Sequence, residues 1–421
     1  MTNRDCCSDG ATAFVNVKFL EVKKETQKMD NIIKQRLQQV MDSAVQKGEV
    51  PGCTLLVRKA GKEEVYLESG YADVEAKIPV RRDGIYRLYS MTKPITGAAM
   101  MILVERGIVD LADPVSKYLP GFKNQTVCTK DGTTEKAWRE VTVQDLLCMT
   151  SGQTYGGEDE NGIKTSELIQ EVVEGLDKKE GGNITTVEFA NGLGKVPLHY
   201  QPGKSWSYGT SADVIGAVIE TASGMRFGEF LKKEIFEPLG MKDTGFFVPK
   251  EKRERFVKAY ECNEGKAPVL YLGNNLGIQN TMEFAPAFES GGAGLVSTID
   301  DYAKFAQMLL NKGTYEGKEI LRAKTVEFFT RRVLDDAQQK GFEEWIGLEG
   351  FTYGNLMRIM KEPGRAVTLG GKGEYGWDGW LGCYFSNAPE ENMTILMMTQ
   401  KKDAGTFSMT RKLRNVMLLG M

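Results

Sequence analysis

The chain has 421 residues, 41% of them hydrophobic and 26% charged, with a formal net charge of −3. That length exceeds the roughly 250 to 300 residues at which one hydrophobic core stops growing, so two lobes are expected. The even charge balance, without a basic stripe or an apolar run near the ~20 residues that span a bilayer, argues against nucleic acid and membrane as partners.

Residues 1–30 have weak periodicity and mixed charge and read as an N-terminal extension. No continuous apolar stretch there makes a signal peptide, so the expected location is the cytoplasm. In "NIIKQRLQQVMDSAVQKGEVPG", Ile32, Ile33, Leu37, Val40, Met41, Ala44 and Val45 recur at helical spacing until Gly48. "CTLLVRK", "EEVYLESGYADV" and "GIYRLYS" follow as short apolar or alternating runs split by turn residues, the pattern of consecutive antiparallel strands. From Pro94 to Val104 the chain is apolar all round, which predicts a buried helix that starts near Pro94 and stops at Gly107.

Thr142 and Asp145 have the spacing of a capping box before "LLCMTSG". Ser211 opens "ADVIGAVIETASG", and Ser297 or Thr298 opens "IDDYAKFAQMLLNKG", with Gly313 at the stop. Between the first two of these helices, residues 153–195 are acidic and glycine-rich at both ends and read as a surface excursion containing one short helix. "LGCYFSNAPEENMTILMMTQ" predicts two strands about a turn, and "SMTRKLRNVMLLG" a closing helix. Strands at both ends around a helical middle predict an α/β (α+β) fold. Residues 31–110 and 288–421 would form an antiparallel sheet domain with flanking helices. Residues 111–287 would form a mostly helical lobe, with the active site at the interface.

Seven cysteines, Cys6, Cys7, Cys53, Cys128, Cys148, Cys262 and Cys383, are dispersed without a C-x-x-C pair and read as free thiols of a reducing compartment. The one histidine, His199, leaves no multi-histidine metal centre, and any Ser-His-Asp triad would have to use it. No G-x-S-x-G elbow is present, and neither a metal nor an organic cofactor is expected. Ser90 and Lys93 in "YSMTKPIT" are the remaining candidates for nucleophilic chemistry. Residues three apart share a helix face, and the start of a helix favours negative charge developing on the serine oxygen. Lys93 can take the serine proton only when neutral. That requires its pKa to fall by roughly 3 units, about 4 kcal/mol, as burial can cause. An S-x-x-K arises about once by chance in a chain of ordinary composition, so on these residues alone nucleophile and helix cap both stand.

Further motifs supply context. "YRLYSMTKPITGAAMMILVERGIVDLADPVSKYLPGF", "VTVQDLLCMTSG", "PLHYQPGKSWSYGTSADVIGAVIETASG", "ESGGAGLVSTIDDYAKFAQMLLNKG" and "YGWDGWLGCYFSNAPEENMTILMMTQ" occur in this order. Together they resemble the serine β-lactamase and penicillin-binding-protein superfamily, in its class C-like branch and with motifs nearest the family VIII carboxylesterases. The resemblance covers about residues 31–419. It implies a β-lactamase/transpeptidase-like fold, with Ser90 as acylated nucleophile, Lys93 as its proton acceptor and Tyr208 as a second general acid or base. The backbone N–H groups of Ser90 and Trp380 would form the oxyanion hole.

Two positions depart from the β-lactamase pattern. Thr210 stands where those enzymes have asparagine, and Trp377-Asp378-Gly379 stands in place of Lys-Thr-Gly, with Lys372-Gly373 as an alternative register. Thr210, Trp377, Asp378 and Gly379 are expected to face substrate. Trp377 would offer an apolar wall and Asp378 would repel anions, which favours small neutral esters over carboxylate-bearing β-lactams. The expected function is therefore a serine hydrolase acting through an acyl-enzyme, foremost a carboxylesterase. A class C-like β-lactamase, a D-amino-acid peptidase or amidase and an acyltransferase are the enzymatic alternatives, and a catalytically silent ligand-binding member is the non-enzymatic one. The partner is a small-molecule ester, amide or β-lactam; oligomeric state is not encoded in these motifs.

Overall fold

The computed structural model describes residues 31–345 and 347–419. The extension 1–30, with Cys6 and Cys7, lies outside the described residues. Eight antiparallel strands form one sheet: β1 (Gly52–Lys59), β2 (Lys62–Asp73), β3 (Ile78–Pro79), β4 (Phe351–Gly354), β5 (Met357–Met360), β6 (Tyr375–Asp378), β7 (Tyr384–Ala388) and β8 (Met393–Thr399). Their spatial order is β4-β5-β6-β7-β8-β1-β2-β3. β1 and β8 join the two ends of the chain in unbroken register, from Cys53 opposite Thr399 to Lys59 opposite Met393. Every residue of β8 is buried, as its near-continuous apolar sequence requires of a central strand.

The sequence pattern does not announce β4 and β5. They are joined at Asn355 and Leu356, which both take positive φ (49° and 67°), and a buried Arg358 interrupts the apolar run. Left-handed leucine is uncommon, so the hairpin lacks the usual glycine signal. Conversely, "GIYRLYS" keeps only Tyr86–Arg87 as strand, paired with Val296–Ser297, because the chain turns away at Tyr89.

Alternation along β1 divides the interior. Leu55 and Val57 face one cluster with helices α1 (Asn31–Gln46) and α10 (Ser408–Leu419), while Leu56 faces the other. On α1 the buried residues are Ile33, Leu37, Met41 and Ala44, the inner part of the predicted stripe. The opposite cluster is continuous from Leu56, Phe385 and Leu396 through α2 (Thr92–Glu105) into α3 (Val143–Cys148) and α6 (Ser211–Ser223). All of α2 from Thr92 to Leu103 is buried. Each large apolar side chain so covered contributes about 1.5–3 kcal/mol.

Residues 153–195 hold two helices, not one short one: α4 (Glu160–Lys178) and α5 (Thr186–Gly194). The acidic residues that suggested a loop are helix starts. Asp159 accepts from Gly162 N at 2.9 Å, and Thr185 with Glu188 forms a reciprocal capping box. Thr142 and Asp145 form another. Thr298 caps α7 (Ile299–Leu310), after which α8 (Ala323–Arg331) and α9 (Asp336–Glu343) lead back to the sheet. Among the described residues no helix is long and apolar enough to cross a membrane.

Arg414 on α10 meets Glu374, just before β6, at 2.6 Å, and both side chains are only 2% exposed. Ser386 Oγ also donates to Glu374, and Arg414 donates further to Leu369 O at 2.8 Å and to the Tyr384 hydroxyl, while its buried Nε has no partner among the described residues. Arg414→Ala, which strands the buried carboxylate, is expected to lower unfolding free energy by about 3–5 kcal/mol, read from the urea midpoint.

Candidate active site

The route to Ser90 begins with the short strand Tyr86–Arg87. Leu88 N donates to Leu295 O at 2.9 Å, and Tyr89 then adopts a left-handed φ of 45°, turning the chain sharply into α2. Such a conformation in a bulky residue costs about 1–3 kcal/mol and persists only where packing over-determines it. Here Tyr89 is fully buried against Trp380, with ring centroids 4.9 Å apart. Ser90 lies in the single helical turn Tyr89–Met91 that leads into α2, and is 9% exposed. Tyr302 Oη donates to Met91 O at 2.9 Å and pins the start of α2 from the α7 side.

Lys93, one turn on, has no exposed surface. Its Nζ lies 3.1 Å from Ser90 Oγ, 3.0 Å from Tyr155 Oη and 2.9 Å from Gly292 O. No carboxylate touches it among the described residues. Burial pushes its pKa down to about 7, against the opposing pull of Asp213 and Asp378. Asp213, buried on α6, accepts from Ser290 Oγ and from Gly292 N at 3.0 Å, so it holds the backbone whose carbonyl receives the lysine. A Cβ on Gly291 would stand 2.2 Å from Ala212 O, and one on Gly292 would meet both the Asp213 carboxylate and the Tyr155 hydroxyl at 2.8 Å. The paired glycines are what allow this segment between α2 and α6.

Tyr208 is positioned by the "CMTSG" turn. Met149, left-handed at φ 57°, ends α3 and accepts from Ser207 N at 3.0 Å, while Ser151 Oγ lies 2.9 Å from Ser211 Oγ. The phenol faces Ser90, and Lys93 Nζ lies 4.5 Å from the centre of its ring. Burial raises the Tyr208 pKa well above the ordinary tyrosine value, opposed by hydrogen bonds from Ser90 and Trp377, so the phenol is protonated at neutral pH. Trp377 on β6 is 2% exposed and donates its Nε1–H to Tyr208 Oη at 2.9 Å. It is thus not the open apolar wall expected from sequence; its indole is turned inward by Tyr353 and Trp345 and serves the phenol.

Gly379 follows at the end of β6. A Cβ there would be 2.2 Å from Leu88 O, so only glycine lets this strand end press on the turn before Ser90. Trp380 comes next, its ring between Tyr89 and Tyr271 and its Nε1–H on Asp403. Trp377 and Gly379 therefore approach the serine turn, whereas Lys372 lines a separate cavity with Leu309 and Tyr375. Asp378 is partly exposed and accepts from Thr406. Thr210 begins α6 through its carbonyl; its hydroxyl is buried without a partner among the described residues, away from an open face.

His199 does not contact Ser90, Lys93 or Tyr208. Its Nδ1 pairs with Asp159 Oδ2 at 2.5 Å and its backbone N–H donates to Gly152 O at 2.7 Å, which ties both ends of the loop bearing Tyr155. Tyr155, Asp213 and Gly292 escaped the sequence reading. Tyr155 was hidden in a segment read as surface, and nothing local distinguishes Asp213 from an ordinary helix residue. Trp206 and the half-exposed Trp345 flank Tyr208 and, with Gly341 and Glu344, line an open recess of about 490 Å³. Among the described residues no group of three or more His, Cys, Asp or Glu side chains could hold a metal ion.

The family model described as Beta-lactamase matches residues 30–416. Esterase EstB of Burkholderia gladioli is 29% identical over 379 residues, which cover 86% of this chain and 89% of the relative. Among solved structures, EstCE1, a hydrolase with promiscuous acyltransferase activity, aligns with a TM-score of 0.74 at 25% identity over 91% of this chain and 98% of its own. A family VIII carboxylesterase shares the fold, with a TM-score of 0.65 at 17% identity over 94% and 99% of the two chains. The antiparallel sheet, the buried helix that follows Ser90 and a family match over nearly the whole described length lead to one conclusion: the chain belongs to the beta-lactamase family.

Proposed function

We propose that this chain is a serine carboxylesterase that acts through an acyl-enzyme at Ser90, with Lys93 as base and Tyr208 as acid. The observation that carries the reading is a wholly buried lysine, with its pKa brought to about 7, in hydrogen-bond contact with the serine. A neutral Lys93 donates to Gly292 O, which can only accept, and keeps its lone pair for the Ser90 proton. Ser90 Oγ attacks the ester carbonyl carbon as Lys93 takes that proton. The backbone N–H groups of Ser90 and Trp380 bind the resulting oxyanion, each worth about 2.7–4 kcal/mol in the transition state. Tyr208, protonated and holding the Trp377 N–H on its oxygen, gives its proton to the departing alkoxide and recovers one from the Lys93 ammonium. Water then attacks the acyl group by the same steps in reverse. Tyr155 is a positioning residue, holding the Lys93 amine against the serine.

The preference for neutral esters rests on charge. Trp377 offers Tyr208 a neutral donor, and Asp378 adds a negative charge nearby, so neither of these two residues gives a substrate carboxylate a cationic partner. The relative named as an esterase, EstB, supports the same class. Acyl transfer to an alcohol is a second reading, supported by the acyltransferase activity named for EstCE1.

A fluorophosphonate probe should add to Ser90, as located by mass spectrometry. Ser90→Ala should lose the adduct and at least about a thousandfold in kcat; an unlabelled Ser90 together with wild-type turnover in that variant would falsify the mechanism. p-Nitrophenyl esters of short acids should be turned over with higher kcat/KM than nitrocefin or D-alanyl peptides. Since Lys93 acts unprotonated, kcat/KM should rise about tenfold per pH unit below pH 7 and level off above it. A stopped-flow or plate-reader pH series with p-nitrophenyl butyrate tests this, a flat profile from pH 5 to 8 being the contrary result. Trp377→Phe keeps the ring and removes the donor to Tyr208, and should cost about 1 kcal/mol, roughly fivefold in kcat, with KM little changed.

A further inference from the structure

A second cavity, of about 630 Å³, opens between the end of α7, α8 and the sheet strands β5 and β6. Its size falls within the roughly 300–1,000 Å³ of small-molecule pockets. Its floor is apolar and deep in the core: Leu309, Val326, Ile359, Met360 and the ring of Tyr375 are each under 5% exposed. Tyr375 Oη is already engaged by Asn387, so the ring alone faces the space. Tyr375 stands four residues before Gly379, about 13 Å along the strand, which separates this cavity from the serine turn.

The rim has the opposite charge from the chain as a whole. Lys312, Lys324, Arg331, Lys361 and Lys372 line the cavity against only Glu327 and Glu390, while the chain carries a net −3. Glu327 is occupied by Lys324 at 3.2 Å and Arg331 at 2.6 Å. Lys312, Lys361 and Lys372 make no ion pair within 4 Å among the described residues, and with Glu390 as the other rim acid the five cations still outnumber the two carboxylates, so the rim keeps an excess of positive charge.

We propose that this cavity binds an amphipathic monoanion, a medium-chain carboxylate whose alkyl tail lies on the apolar floor and whose head meets Lys361 and Lys372. A neutral apolar molecule would use the floor and leave the lysines unengaged, and a small anion would leave the floor wet; a fatty carboxylate uses both. The site is independent of the chemistry assigned to Ser90.

Isothermal titration of the full chain with sodium dodecanoate, kept below its micelle concentration, tests the assignment. A single saturable site is expected, with dodecyltrimethylammonium bound at least tenfold more weakly and dodecanoate affinity falling as salt rises. Lys361→Glu/Lys372→Glu should weaken dodecanoate at least tenfold while leaving kcat/KM for p-nitrophenyl acetate within twofold, which also shows that the variant is folded. Equal binding by the double variant, equal binding of the cationic surfactant, or no saturable binding would each overturn the proposal. So would dodecanoate that acts only as a competitive inhibitor of ester hydrolysis.

Discussion

A lysine with no exposed surface, touched by no carboxylate among the described residues, gives up its proton far more readily than an ordinary lysine, and Lys93 is held in such surroundings. The shift from the ordinary 10.5 to about 7 amounts to roughly 4–5 kcal/mol. Below pH 7 folded and unfolded chains both carry the proton and the fold bears this cost in full. Between pH 7 and about 10.5 only the unfolded chain binds it, so this group makes stability rise with pH, and above that range the cost is gone. The all-apolar α2 is what imposes the burial, and it also supplies the packing that offsets it.

Close backbone approach is the second requirement of the same centre. Gly291 and Gly292 bring a carbonyl to Lys93, Gly209 lets the chain after Tyr208 pass the carbonyl of Gln153, and Gly379 sets β6 against Leu88. These glycines come from three separated segments, and each Cβ they lack would fall within 2.8 Å of another residue's atoms. The left-handed Tyr89 is the cost of the turn that presents Ser90, and the packing of Trp380 against its ring holds it there.

The neighbour of the phenol is an indole and not an ammonium, and this sets its acid–base behaviour. An ammonium beside Tyr208 would favour phenolate, whereas an indole N–H hydrogen-bonds the oxygen without a full charge. Burial then keeps Tyr208 protonated, which divides the roles: the amine is the group able to accept a proton near neutral pH, and the phenol is the group able to donate one. Trp206 and Trp345 pack their rings against that of Tyr208, and Tyr353 packs against Trp377 behind it.

Much of the architecture was legible because it follows from local rules. The β1, β2, β7 and β8 runs, the stripe of α1, the buried α2 and the capping box at Thr142 depend on period and short-range hydrogen bonding. Motif order along the chain brought Ser90, Lys93 and Tyr208 forward as candidates. The β4–β5 hairpin was not legible, because its turn uses leucine and its strand carries arginine, and the acidic starts of α4 and α5 resembled loop. Tyr155, Asp213 and Gly292 could not be found from sequence at all, since their only signal is proximity to a residue between 62 and 199 positions away. By itself, then, the sequence determined the strands and helices that follow local rules, and the Ser90, Lys93 and Tyr208 candidates. The orientation of Trp377, the ligands of the Lys93 amine and its charge state belong to the tertiary structure alone, because desolvation and hydrogen bonding are set by the segments that the fold packs around a group.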